Sequence, residues 1–149
     1  MIGARIANGL LTTAVAAVIV GCGAPAAAPQ ADTASAYPSE TLAPLFHQVL
    51  PNVAGKTFTS AIVTFPPAAR AVPHRHGDAF VYAYVLEGAV SSQLEGQPAH
   101  VYRQGENWSE QPGAHHLATE NTSPTEPAKL LVVFIATTGE QLKVDDPHR

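Results

Sequence analysis

Cysteine, charge and long apolar stretches are all scarce in this chain of 149 residues. Its single cysteine, Cys22, excludes an intramolecular disulfide. Only 13% of the residues are charged, the formal net charge is -4, and the eight basic residues are scattered, so no basic footprint argues for nucleic acid. The most apolar stretch, from about Leu10 to Val20, is too short to span a bilayer comfortably. Aromatic residues are few, and their one dense stretch, Phe80 to Tyr84, lies inside an apolar run and reads as strand packing. No Gly-rich phosphate loop, nucleophile elbow or Cys-His pair occurs. Proline and glycine are plentiful, thirteen and eleven, which favours turns and short strands over long helices. With 46% hydrophobic residues, the length suits one domain plus an extension.

The extension is at the N-terminus. Met1-Ile2-Gly3-Ala4-Arg5 gives a basic start, the apolar stretch follows, and Gly21 precedes Cys22, the pattern of an export signal. Ile19-Val20-Gly21-Cys22 resembles a bacterial lipobox, which implies that Cys22 becomes the lipidated first residue of the mature protein. The competing readings are an ordinary signal peptide cut nearby and an uncleaved anchor. Residues 1–21 are thus read as signal peptide and 22–38, rich in Ala and Pro with little to bury, as a disordered tether. The expected location is the bacterial cell envelope, facing the periplasm or exterior, with membrane contact only through the lipid.

Residues 39–55 are read as a short helix and lead-in, because Glu40, Leu42, Leu45, Phe46 and Val49 have rough helical spacing after a Ser-Glu start. From Lys56 the pattern turns to β. Lys56–Phe65 is rich in β-branched residues, and Ala79–Leu86 is a near-continuous apolar run that reads as a strand buried on both faces. Ala89–Leu94, Ala99–Arg103, the segment around Trp108, a strand beginning at His116, and Leu130–Thr137 follow, with a turn signal every eight to twelve residues. An all-β sandwich or barrel over 56–140 is predicted, with 141–149 as a C-terminal tail.

The residues that carry chemistry are histidines. Alternation along an extended strand puts His74 and His76 on one face. His116 follows the Pro112-Gly113 turn and can begin a strand pointing inward. Three imidazoles meeting inside a small β-structure form a facial set for a divalent transition metal with open positions for a ligand. Adjacent strand residues face opposite ways, so His115 points outward, unless a one-residue slip at the turn exchanges it with His116. His47, His100 and His148 have no partner by spacing and are read as surface residues. Trp108 is read as packing over the barrel mouth. Glu110 is read as a solvated edge charge, with a substitute carboxylate or general base at the site as its functional alternative. Asn121 is assigned to backbone hydrogen bonding near a turn.

The stretch from about Lys56 to Thr138 resembles the cupin family. His74 and His76 match the HxH pair of its first motif and Gly88 the glycine that closes it. Gly105, Gly113, His116 and Asn121 match the second motif, the asparagine one residue late. The resemblance implies a double-stranded β-helix (jelly-roll) barrel holding a divalent metal through His74, His76 and His116. Two positions depart from the pattern: Val81 stands where the first motif has a glutamate ligand, and Gln111 where the second has a proline. A neutral three-histidine site of this kind accepts Fe, Mn, Ni, Zn or Cu. The resemblance further implies dioxygenase-like chemistry on a small chelating molecule, and pairing of two copies through the Phe80–Leu86 and Leu130–Ala136 strands. The alternative is a non-catalytic periplasmic module that captures a metal or small ligand. A recognisable general base at the site, or a pocket lined by more polar groups than the histidines, favours the enzyme, whereas the missing glutamate leans toward the module.

Overall fold

A computed structural model of the chain describes residues 37–147. The signal stretch, Cys22, the tether as far as residue 36, and His148 lie outside the described residues. Eleven strands make up the described fold, and no helix among the described residues is long and apolar enough to cross a membrane.

The apolar, β-branched segments become long strands of one sheet. These are β1 (Thr41–Val49), β2 (Lys56–Phe65), β5 (Phe80–Glu87), β8 (Asn107–Glu110) and β10 (Ala128–Thr137), arranged in the order β1-β2-β10-β5-β8. The second sheet runs β11-β4-β9-β6-β7, from β11 (Val144–Asp145), β4 (His74–Arg75), β9 (His115–Asn121), β6 (Ala89–Leu94) and β7 (His100–Arg103). The short β3 (Arg70–Ala71) also pairs with β9. All pairings are antiparallel. The core lies between the sheets, with alternate residues pointing in, as a pleat requires: Val81, Ala83 and Val85 from β5, and Leu130, Val132 and Phe134 from β10. The expected all-β jelly-roll architecture is therefore the one found.

Three expectations are corrected. Residues 41–49 form the strand β1, not a helix, and every residue of it is exposed. The helical spacing misleads here because the apolar residues have no core to face; Leu45 and Phe46 are 59% and 54% exposed. Pro44, which lacks an N–H and would break a helix, is tolerated because β1 is a sheet edge with a register shift between Pro44 and Phe46. Strand β5 is not buried on both faces: Phe80, Tyr82 and Tyr84 are only half-buried on its outer side. Both β5 and β10 are paired on each side within the sheet. Finally, residues 141–147 are part of the domain, since β11 pairs with β4 and Asp146 N–H bonds the Pro73 carbonyl at 2.8 Å.

Turns place the site. Gly88 closes the β5–β6 hairpin at φ +74°, and a Cβ there would lie 3.0 Å from the Pro127 carbonyl oxygen. The Gln111–Gly113 turn is tied to the end of β4, with Gly113 N–H donating to the Gly77 carbonyl at 2.8 Å. Gln111 in place of proline leaves that turn intact, its carbonyl accepting from Ala114 N–H at 3.0 Å.

Candidate metal centre

His74 and His116 are directly opposite each other on paired strands β4 and β9, both pointing into the interior. His76 follows β4 immediately and shares the face of His74. All three are buried, at 6%, 8% and 3% exposure, and each offers one ring nitrogen within 4.8 Å of the others. The predicted convergence is thus present. His115 points outward, its Nε2 2.8 Å from Asp146 Oδ2, so the exchange with His116 does not occur. Asn121 bonds the carbonyls of Phe65, Pro66 and Glu126, a backbone role as expected.

Each ring is held from behind. His74 Nδ1 lies 2.6 Å from the Val72 carbonyl oxygen and His76 Nδ1 2.5 Å from that of Leu142. A carbonyl only accepts, so each Nδ1 carries the proton and each neutral ring turns an Nε2 lone pair to the interior. Burial pushes the His74 pKa down to about 4, reinforced by His76, His116 and Lys143 against the pull of the Val72 bond. Burial likewise lowers His76. Both rings are therefore neutral near pH 7, the form that binds metal. Behind His116 stand two hydroxyls, Ser92 Oγ at 2.8 Å and Thr119 Oγ1 at 2.7 Å from Nε2.

Glu110 corrects the sequence reading. It is no solvated edge charge but 2% exposed, facing the histidines from β8. Its Oε1 accepts from the Trp108 indole N–H at 3.2 Å and lies 3.1 Å from His116 Nδ1, without the alignment of a hydrogen bond to that ring. Its Oε2 lies 3.7 Å from His76 Nε2. Burial works to raise the Glu110 carboxyl, but His116, His76 and Trp108 outweigh it and leave it below the usual value. Among the described residues, Glu110 Oε2 and His116 Nδ1 are two of three buried polar side-chain atoms with no hydrogen-bond partner; His115 Nδ1 is the third. Buried polar atoms are almost always satisfied, so two open ones beside three imidazoles fit a cation. The donor set suits a borderline divalent transition metal.

The site opens into a cavity of about 150 Å3 lined from both sheets, mostly by apolar side chains such as Val63, Phe65, Leu130 and Phe134. Trp108 is a wall of this cavity rather than a lid on it. At the more exposed side, Lys143 Nζ pairs with Glu40 Oε1 at 2.9 Å and with Asp145 Oδ1 at 2.7 Å. Ser92, Thr119, Leu142, Glu40 and Lys143 escaped the sequence reading. Ser92 was within reach of it, since it shares the strand phase of buried Val90. Thr119 was not: a register shift between Gln93 and Leu94 opposite β9 lets His116 and Thr119, three residues apart, both face inward.

Solved structures share this fold. The cupin domain of Schizosaccharomyces pombe Cnp3 matches with a TM-score of 0.54 at 17% identity, over 68% of this chain and 63% of that one. An oxalate oxidase in complex with the substrate analogue glycolate matches at 0.52 and 21%, over 67% and 55%. The DMSP lyase DddQ from Ruegeria pomeroyi DSS-3 matches at 0.51 and 23%, over 58% and 42%. In each case the chain spans less than two thirds of the matched protein. No curated protein matches the sequence. The sequence profile described as "Cupin domain" matches residues 61–134, the stretch that carries both histidine motifs. Strand order, the placing of His74, His76 and His116, and this match agree on one architecture: residues 61–134 have the cupin fold.

Proposed function

We propose that the protein is a lipid-anchored cupin of the bacterial cell envelope that holds one divalent transition metal and performs dioxygenase-like chemistry on a small chelating molecule. The observation that carries the metal is the convergence of three buried imidazoles. Two of them are locked by backbone carbonyls with Nε2 turned to the cavity. His74, His76 and His116 would hold the ion, which when bound supplies adjacent open positions that gather and polarise a chelating ligand.

The chain's own residues do the rest. Val72 and Leu142 carbonyls fix two tautomers, and Ser92 and Thr119 steady the third ring. Val63, Phe65, Leu130 and Phe134 exclude water and select a ligand with an apolar body behind its chelating head. Glu110 adds a buried carboxylate beside the histidines, and turnover is what separates the enzyme from a capture module. Oxalate oxidase and DMSP lyase share the fold, but at 21% and 23% identity their named activities do not carry over.

Metal analysis of protein purified without added metal tests the reading. About one equivalent is expected in wild type, and His76→Ala should lose most of it; equally little in both would sink the three-histidine centre. Oxygen uptake with flavonols, diketones and thiols then tests turnover. No uptake with any metal would leave the capture module.

A further inference from the structure

Resting on the three-histidine reading, we infer that Glu110 is the fourth ligand of the centre, a carboxylate displaced by one strand from the family's usual place. Val81 occupies that place on β5, where it has no donor atom. Its direct cross-strand partner on β8 is Glu110. Both side chains point inward, at 1% and 2% exposure. Residues opposite each other on neighbouring strands have Cβ atoms roughly 5 Å apart, so a glutamate from β8 reaches the space that one from β5 would fill. The short Val81 side chain leaves that space free.

The two oxygens of Glu110 are used unequally. Oε1 is held by the Trp108 indole, while Oε2 has no hydrogen-bond partner. Such an arrangement orients a carboxylate and leaves one oxygen for an ion. Distances agree. Two donors about 2.1 Å from one ion lie roughly 3.0 Å apart when cis and about 4.2 Å apart when trans. Glu110 Oε2, the oxygen left free, is 3.7 Å from His76 Nε2, between those two values. A carboxylate kept only for structure would have both oxygens satisfied at this burial. With Glu110 included, the ligand set gains the anionic member that Val81 removes.

Co(II) is a suitable probe, because its visible spectrum reports coordination number without any substrate. Glu110→Gln keeps an oxygen for the Trp108 N–H but gives up the anionic donor. Its Co(II) affinity should fall roughly ten- to a hundredfold. Its Co(II) bands should change to those of a centre with fewer ligands, while the metal-free protein stays at least as thermostable as wild type. Moving the carboxylate back, in the double variant Val81→Glu/Glu110→Val, should recover most of the affinity. Wild-type affinity and spectrum in Glu110→Gln would overturn the inference. So would a metal-free Glu110→Gln of lowered stability that still gives the wild-type Co(II) spectrum, which marks a structural partner of His116. Wild-type protein that takes up no Co(II) overturns the three-histidine reading as well.

Discussion

His116 is steadied by two hydroxyls, where His74 and His76 are each held by a carbonyl. A hydroxyl both donates and accepts, so it orients the ring without dictating which nitrogen carries the proton. His116 is thus the one member of the set whose tautomer the protein leaves free. Removing both hydroxyls, in Ser92→Ala/Thr119→Val, should weaken metal binding about ten- to a hundredfold, with less effect from either change alone. A chelator-competition titration reads this directly, and undiminished affinity in the double variant would show that the hydroxyls do not steady the ring. Residue by residue, the histidine set was legible in advance because spacing and alternation suffice for HxH and for a strand starting after Pro-Gly. Glu110 was half-legible. It shares its strand phase with Trp108, yet low-exposure glutamates are so uncommon that a solvated edge was the natural expectation. Nothing in the sequence brings the Leu142 carbonyl to His76, because that contact joins residues 66 positions apart.

Among the elements, the strands that form the core were readable from period-two apolar patterns, and β1 was not. Its apolar residues mimic a helical stripe, and only the free edge of β2 decides the matter by supplying hydrogen-bond partners. The bulge in β9 was equally hidden, since a register shift leaves no compositional mark. Turns are where single residues decide an element's fate. Gly88 needs φ +74°, and a Cβ there would meet the Pro127 carbonyl oxygen at 3.0 Å and Ala128 atoms at 3.1 and 3.2 Å. Gly88→Ala should therefore destabilise the protein by roughly 1–3 kcal/mol, from both backbone strain and overlap. A lowered urea midpoint with an unchanged slope is the expected signature. An unchanged midpoint would mean the hairpin re-forms with a different turn.

At the scale of the whole molecule, the N-terminal lead-in and the C-terminal segment meet beside the cavity. Pro38 accepts from Arg70 N–H at 3.0 Å, and Glu40 pairs with Lys143. Burial opposes the charge on Glu40, but Lys143, a backbone hydrogen bond and Ser39 together outweigh it and hold the carboxyl below its ordinary 4.5. Lys143 is held above its ordinary 10.5, chiefly by Asp145 and Glu40 against its burial, so it stays charged through neutral pH. A depressed carboxyl contributes stability that is whole above 4.5 and is lost as pH falls through its lower folded value. Glu40→Gln should thus lower stability by under about 1 kcal/mol at pH 7, given the partial exposure of the pair. Thermal melts should show that difference closing in acid, and a gap that stays constant down to pH 3 would assign it to packing instead. The lipid-anchor proposal is tested at this scale too. Cys22→Ser should abolish labelling with a radioactive fatty acid and move the protein from the membrane fraction to the soluble one.

The Leu142 carbonyl that orients His76 sits beyond the last long strand. Chains are synthesised from the N-terminus, so this carbonyl reaches the barrel after both histidine motifs have already been made. A nascent chain, or one clipped before Leu142, lacks the contact that turns the His76 lone pair inward. On the proposed metal centre, stable loading would therefore need a chain that is complete through Leu142.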